Sequence, residues 1–169
     1  MNKKLIKFLI VTALLYVVWY FLYQFLIEPF TRFDYYISKN LGDIAVLIFD
    51  LFGVATVPFE ESYHVVIGLA NSTNSGVWIG TECNGLTLFS IFSIFIIAYP
   101  SNWKQKLWFI PLGILIIHLL NALRVVALVA IDHYHQEKLE FNHTYTFTFL
   151  MYLIIIFYFF LFLLMFFLF

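Results

Sequence analysis

The sequence predicts an all-α polytopic membrane protein. It reads as a bundle of four to five transmembrane helices, with a small extracytoplasmic β-hairpin before the helix that bears the only cysteine. Three observations predict this. First, 63% of the 169 residues are hydrophobic and 22 are Phe, against nine Lys and Arg and ten Asp and Glu. A soluble chain of this length cannot bury so much apolar surface. Second, long apolar runs recur, several of them near the ~20 residues a helix needs to cross a bilayer. Third, turn chemistry is concentrated in one place, "NSTNSG", between two β-branched runs. The net charge of −1 gives no electrostatic case for nucleic acid. One cysteine excludes an intrachain disulfide and a multi-cysteine zinc site. With no internal repeat and no low-complexity linker, residues 1–169 read as a single membrane domain.

Residues 5–27, "LIKFLIVTALLYVVWYFLYQFLI", follow the basic start "MNKK" and form a first span. The run is too long for a signal peptide and lacks a small-residue cleavage site, so an uncleaved anchor is expected. Segment 34–57 reads as helix, but Asp43 and Asp50 fall two turns apart on one face. Charges inside a span are rare, so this segment is interfacial, re-entrant or spanning. Lys3, Lys4 and Lys7 place the start in the cytoplasm, and Lys104 and Lys106 place the 101–106 loop there too. An even number of crossings must then separate them, which favours 34–57 in the outer interface or entering and returning. Residues 58–82 form the extracytoplasmic hairpin. Residues 86–99 make a short span closed by "YPSNWKQK", 107–131 another, and 147–169 a Phe-rich last one.

The short 101–106 loop makes the helices around it antiparallel. The start of the first, the end of the second and the start of the last therefore share one membrane face, extracytoplasmic by the charge rule. Cys83 stands at the first place, Arg124 about two turns before the second, and His143 just before the third. A lone Cys is most often a small apolar filler, yet a helix N-terminus favours thiolate. Arg124 lies ~10 Å below the helix end at 1.5 Å per residue; that is costly in hydrocarbon unless the side chain snorkels. His118, Asn121 and Arg124 recur at three-residue steps as a polar stripe, which suits either a functional site or interhelical hydrogen bonds. His64, His133 and His135 read as loop residues; His133 and His135 with Asp132 make only an unspecific metal signal, and neither metal nor cofactor is expected. A Cys–His pair can activate a nucleophile and a nearby cation can stabilise an oxyanion, so Cys83, His143 and Arg124 permit acyl transfer.

At these residues the sequence resembles the exosortase/archaeosortase family of integral-membrane cysteine enzymes. The matching features are "ECNGL" (82–86) heading one helix, "NALR" (121–124) in the next, and His143 before the last. They occur in the family's order over about half the chain, residues 60–155. The family usually has a small residue and Ser around the cysteine, where this chain has Glu82 and Asn84. The resemblance implies a protease/transpeptidase that cleaves C-terminal sorting signals of exported proteins at the outer face of the cytoplasmic (inner) membrane. It implies Cys83 as the nucleophile forming a thioester, His143 as general acid/base, and Arg124 stabilising the oxyanion or holding the thiolate. Asn121 would orient Arg124, with Glu82, Asn84, Gly85 and His118 in support. The partners implied are exported proteins ending in a short motif, a transmembrane helix and a basic tail, within the lipid bilayer. Competing readings are a non-catalytic assembly subunit, a small transporter using Asp43, Asp50, His118 and Arg124, or a plain C-terminal protease with water as acceptor. "NST" (71–73) and "NHT" (142–144) also match the glycosylation pattern.

Overall fold

A chain this apolar satisfies its backbone in hydrocarbon by forming helices, and helices dominate the computed structural model. It describes residues 3–61, 64–70, 72, 76–81 and 83–168, the side chains of 58–61 and 166–168 excepted. Helix α1 (Lys3–Leu22) continues through a π-helical turn, Tyr23–Ile27, into Glu28–Phe30. Helix α2 (Phe33–Leu51) leads to strands β1 (Thr56–Glu61), β2 (His64–Leu69) and β3 (Val77–Trp78). Helices α3 (Leu86–Ala98), α4 (Trp103–Tyr134) and α5 (Phe147–Leu168) follow. Three described segments are long and apolar enough to cross a membrane: Lys3–Phe30, Trp103–Tyr134 and Gln136–Met165. Helix α3 is apolar but has 13 residues, about 20 Å against a hydrocarbon core of about 30 Å.

Strands β2 and β3 pair antiparallel about the expected turn, of which residues 71 and 73–75 lie outside the described residues. The sheet has a third strand that the sequence reading passed over. β1 pairs antiparallel with β2 from Thr56↔Leu69 to Glu61↔His64. Its sequence, "TVPFEE", holds a proline and two adjacent glutamates, and such composition demotes a strand unless it lies at a sheet edge. The order β1-β2-β3 puts β1 at an edge.

Two apolar clusters hold the elements together. One lies under the sheet and joins Leu41, Ala45 and Phe49 of α2 to Val65 and Ile67 of β2 and to Val125, Leu128 and Val129 of α4. The buried positions of α2, namely Ser38, Leu41, Gly42, Ala45 and Phe49, recur at three- and four-residue steps, so one stripe faces this cluster. The other cluster joins Phe92 and Ile96 of α3, Phe109 and Ile117 of α4, and Met151, Ile155 and Phe162 of α5. Helix α4 belongs to both. Its 32 residues make about 48 Å, more than the hydrocarbon is thick. The sheet packs against the C-terminal part of this helix, at Val125, Leu128 and Val129.

Contacts along α3 and α4 set their antiparallel register. At one end, the buried Lys106 donates from Nζ to the carbonyls of Ile97 (2.8 Å) and Tyr99 (2.6 Å), satisfying groups that the end of α3 leaves open. In the middle, Gly113 lets the helices touch: a Cβ there would overlap the ring of the fully buried Phe92. Gly113→Leu is therefore expected to overpack the interface and cost about 1–3 kcal/mol. Thermal unfolding in detergent measures this, and Phe92→Ala in the same chain should recover part of the loss.

Candidate active site

The site is assembled where β3 ends and α3 begins. The amides of Cys83 and Asn84 both donate to the Gly80 carbonyl, at 2.9 and 3.0 Å, closing a tight turn. Gly85 then takes the left-handed conformation, φ 87°, immediately before α3. Only glycine adopts this without strain, and here space also demands it: a Cβ would stand 3.0 Å from Asn121 Nδ2. That nitrogen donates to the Cys83 carbonyl at 2.7 Å, a buried bond between α4 and the turn. Asn84 is fully buried. Its Oδ1 accepts the Leu86 amide at 2.9 Å, and its Nδ2 donates to Asp34 Oδ1 at 2.7 Å. The other oxygen of Asp34 accepts the Tyr23 hydroxyl at 2.9 Å.

Cys83 is 6% exposed, and its Sγ lies 2.6 Å from His143 Nε2. His143 sits in a π-helical turn, Asn142–Thr146, that runs directly into α5. Its carbonyl accepts from Thr148 Oγ1 at 3.1 Å and from Arg124 Nη2 at 3.3 Å. Arg124 is 7% exposed and near enough to Cys83 for the two to interact electrostatically. Its Nε and the Oδ1 of Asn121 are buried with no hydrogen-bond partner among the described residues. A cleft of about 220 Å³ opens beside this arginine, lined by Thr87 and Leu88 of α3 and by Thr148, Met151 and Tyr152.

Cys83, Arg124 and His143 thus arrive together from a turn and two helices, with Asn121, Asn84 and Gly85 around them. Asn121 makes no hydrogen bond to Arg124: its Oδ1 has no partner among the described residues and its Nδ2 donates to the Cys83 carbonyl. His118 is not part of the group. Its Nε2 lies 2.8 Å from Asn40 Oδ1 of α2, on the wall of a separate apolar groove of about 660 Å³. Glu82 lies outside the described residues. His135 pairs with the exposed Glu137 at 3.6 Å, while His133 packs edge-on against the Tyr134 ring. No group of three or more metal-ligating side chains occurs among the described residues. Asp43 and Asp50 stand on the exposed face of α2. Sequence reasoning missed Asp34, Tyr23 and Thr148. A carboxylate in the first turn of a helix is an ordinary feature, and nothing local announces that its partner lies 50 residues away.

A thiol touching an imidazole can pass its proton to the ring. A buried guanidinium alongside favours the resulting anion, and can then serve an oxyanion formed at the same place. Gly85→Ala is expected to destabilise the protein by about 1–3 kcal/mol, from left-handed strain and the push on Asn121. It should also slow alkylation of Cys83. Thermal unfolding and a timed iodoacetamide reaction check the two effects.

A family model described as transmembrane exosortase (Exosortase_EpsH) matches residues 4–166, nearly the whole chain. No curated protein and no solved structure matches it.

Proposed function

The chain belongs to the transmembrane exosortase family, and from that premise we propose a membrane-embedded cysteine protease/transpeptidase that cleaves C-terminal sorting signals of exported proteins through a thioester. The observation that carries this reading is the contact of Cys83 Sγ with His143 Nε2 beside a buried Arg124. His143 takes the thiol proton and the thiolate attacks the scissile carbonyl. The tetrahedral oxyanion needs a donor, and Arg124 Nε is a buried donor without a partner among the described residues. Leaving such a group unsatisfied costs about 1–3 kcal/mol, a cost the oxyanion would relieve. On collapse the C–N bond breaks, His143 returns the proton to the departing amine, and the acyl group stays on Cys83. An incoming nucleophile, deprotonated by the same imidazole, then releases it and regenerates the thiol.

The cleft beside Arg124 suits this sequence of steps, because Leu88, Met151 and Tyr152 give it apolar walls while Arg124 and two threonines supply the polar lining. The setting also suits a substrate cut next to its own membrane helix. Arg124 lies 18 residues beyond Lys106 in α4, about 27 Å of a hydrocarbon thickness of about 30 Å. With Lys3, Lys4 and Lys7 on the cytoplasmic side, the site would face outward from the cytoplasmic (inner) membrane. Its substrates would be exported proteins ending in a short motif, one apolar helix and a basic tail.

The test follows the cell's own exported proteins with such tails, quantifying tail removal by mass spectrometry. Cys83→Ser is expected to lower processing by about 10³-fold or more at normal expression, and Arg124→Lys, which keeps the charge but loses the forked donor, by roughly 10²-fold. Unchanged processing in Cys83→Ser would remove the enzyme reading and leave that of an assembly subunit. For the facing of the site, a membrane-impermeant maleimide should label Cys83 in intact cells. Labelling only after permeabilisation would reverse the orientation.

A further inference from the structure

We propose that Asp34 and Tyr23 are positioning residues for Cys83, acting through the side chain of Asn84. The proposal rests on the reading of Cys83 as the nucleophile. Asn84 adjoins Cys83, and its fully buried amide makes two bonds of opposite sense: Oδ1 accepts the Leu86 N–H, and Nδ2 donates to Asp34 Oδ1. An amide in this position could in principle turn over, which would bring its NH2 against the Leu86 N–H. A carboxylate forbids that, because it only accepts. Asp34 therefore dictates which end of the Asn84 amide caps α3. The cap in turn holds the turn at 83–85, in which the Cys83 carbonyl is tied to Asn121 and the thiol meets His143.

Asp34 is itself held. Its Oδ2 accepts the hydroxyl of Tyr23, from the π-helical turn that extends α1. The bonds thus run from α1 through α2 to the cysteine turn, joining residues 11 and 50 positions apart in sequence. An ordinary helix cap needs only the first of these bonds. The second and third fix the orientation of the capping group, which matters where a thiol must stay in register with an imidazole on a different helix. Misplacement by an ångström can cost a reacting group up to about 100-fold.

The experiment uses the purified full-length protein in detergent, with iodoacetamide as the probe at pH 7, since Cys83 is the single cysteine. Asp34→Ala is expected to slow alkylation about tenfold and Tyr23→Phe about two- to threefold. Asn84→Asp sets two carboxylates face to face and should be at least as slow as Asp34→Ala. Adding Asp34→Asn to it rebuilds both bonds with the polarity exchanged: the carboxylate at 84 accepts from the amide at 34 and still accepts the Leu86 N–H. The double variant should recover to within about threefold of wild type, with the same elution on size exclusion. Wild-type rates in Asp34→Ala and Asn84→Asp, or a double variant no faster than Asn84→Asp, would overturn the proposal. His143→Ala in the same series separates the two layers. If it slows alkylation while Asp34→Ala does not, positioning alone fails. If it changes nothing, the nucleophile reading fails and the proposal with it.

Discussion

The hydrogen bond from Asn121 Nδ2 to the Cys83 carbonyl joins the turn that carries the thiol to the helix that carries the arginine. Both groups are buried, and where water is scarce neither has a better partner than the other. Everything nearby is arranged to permit that bond. Gly85 omits a Cβ that would crowd the amide, and adopts a left-handed backbone so that α3 can begin at once. Asn84 caps the same helix from inside the turn. Once the turn is pinned to α4, Arg124 one turn further along meets the carbonyl of His143, and His143 meets the thiol.

Depth follows from the same pair of helices. Helix α3 is held to α4 at three levels: Lys106 on the Ile97 and Tyr99 carbonyls, Gly113 against Phe92, and Asn121 on Cys83. A short helix anchored at both ends and at its middle has little freedom to slide, so the thiol is carried at a fixed height above Lys106. Helix α4 is long enough to pass that height and support the sheet beyond it. The shortness of α3 thus determines where along the bundle the thiol stands.

Much of this was legible in the sequence and some was not, for physical reasons. The membrane class and the antiparallel pair follow from apolar runs and a short loop, which are local signals. The meeting of Cys83, Arg124 and His143 follows from that topology, since helix ends on one face are neighbours whatever their separation in the chain. His118, Asn121 and Arg124 do not share one face. Three-residue steps turn by 300° at 3.6 residues per turn, so two steps carry the side chain about 120° round the helix. His118 accordingly faces Asn40 of α2 while Arg124 faces His143, with Asn121 between them. β1 was obscured by its proline and glutamates, which an edge strand tolerates. Asp34 gave no signal, because hydrogen bonds between distant segments leave no periodicity. Asn84, next to the cysteine, is the residue that Asp34 engages.

Beside His143 and Arg124, Cys83 is expected to be more reactive than a free thiol. The rate of iodoacetamide alkylation across pH measures this directly on a chain with one cysteine. The wild-type protein is expected to react at pH ~6–7 at a rate that a free thiol, with a pKa of about 8.5, reaches only above pH ~8. His143→Ala and Arg124→Ala should move the profile back toward that of a free thiol. A wild-type profile matching an ordinary thiol and unchanged in both variants would contradict it.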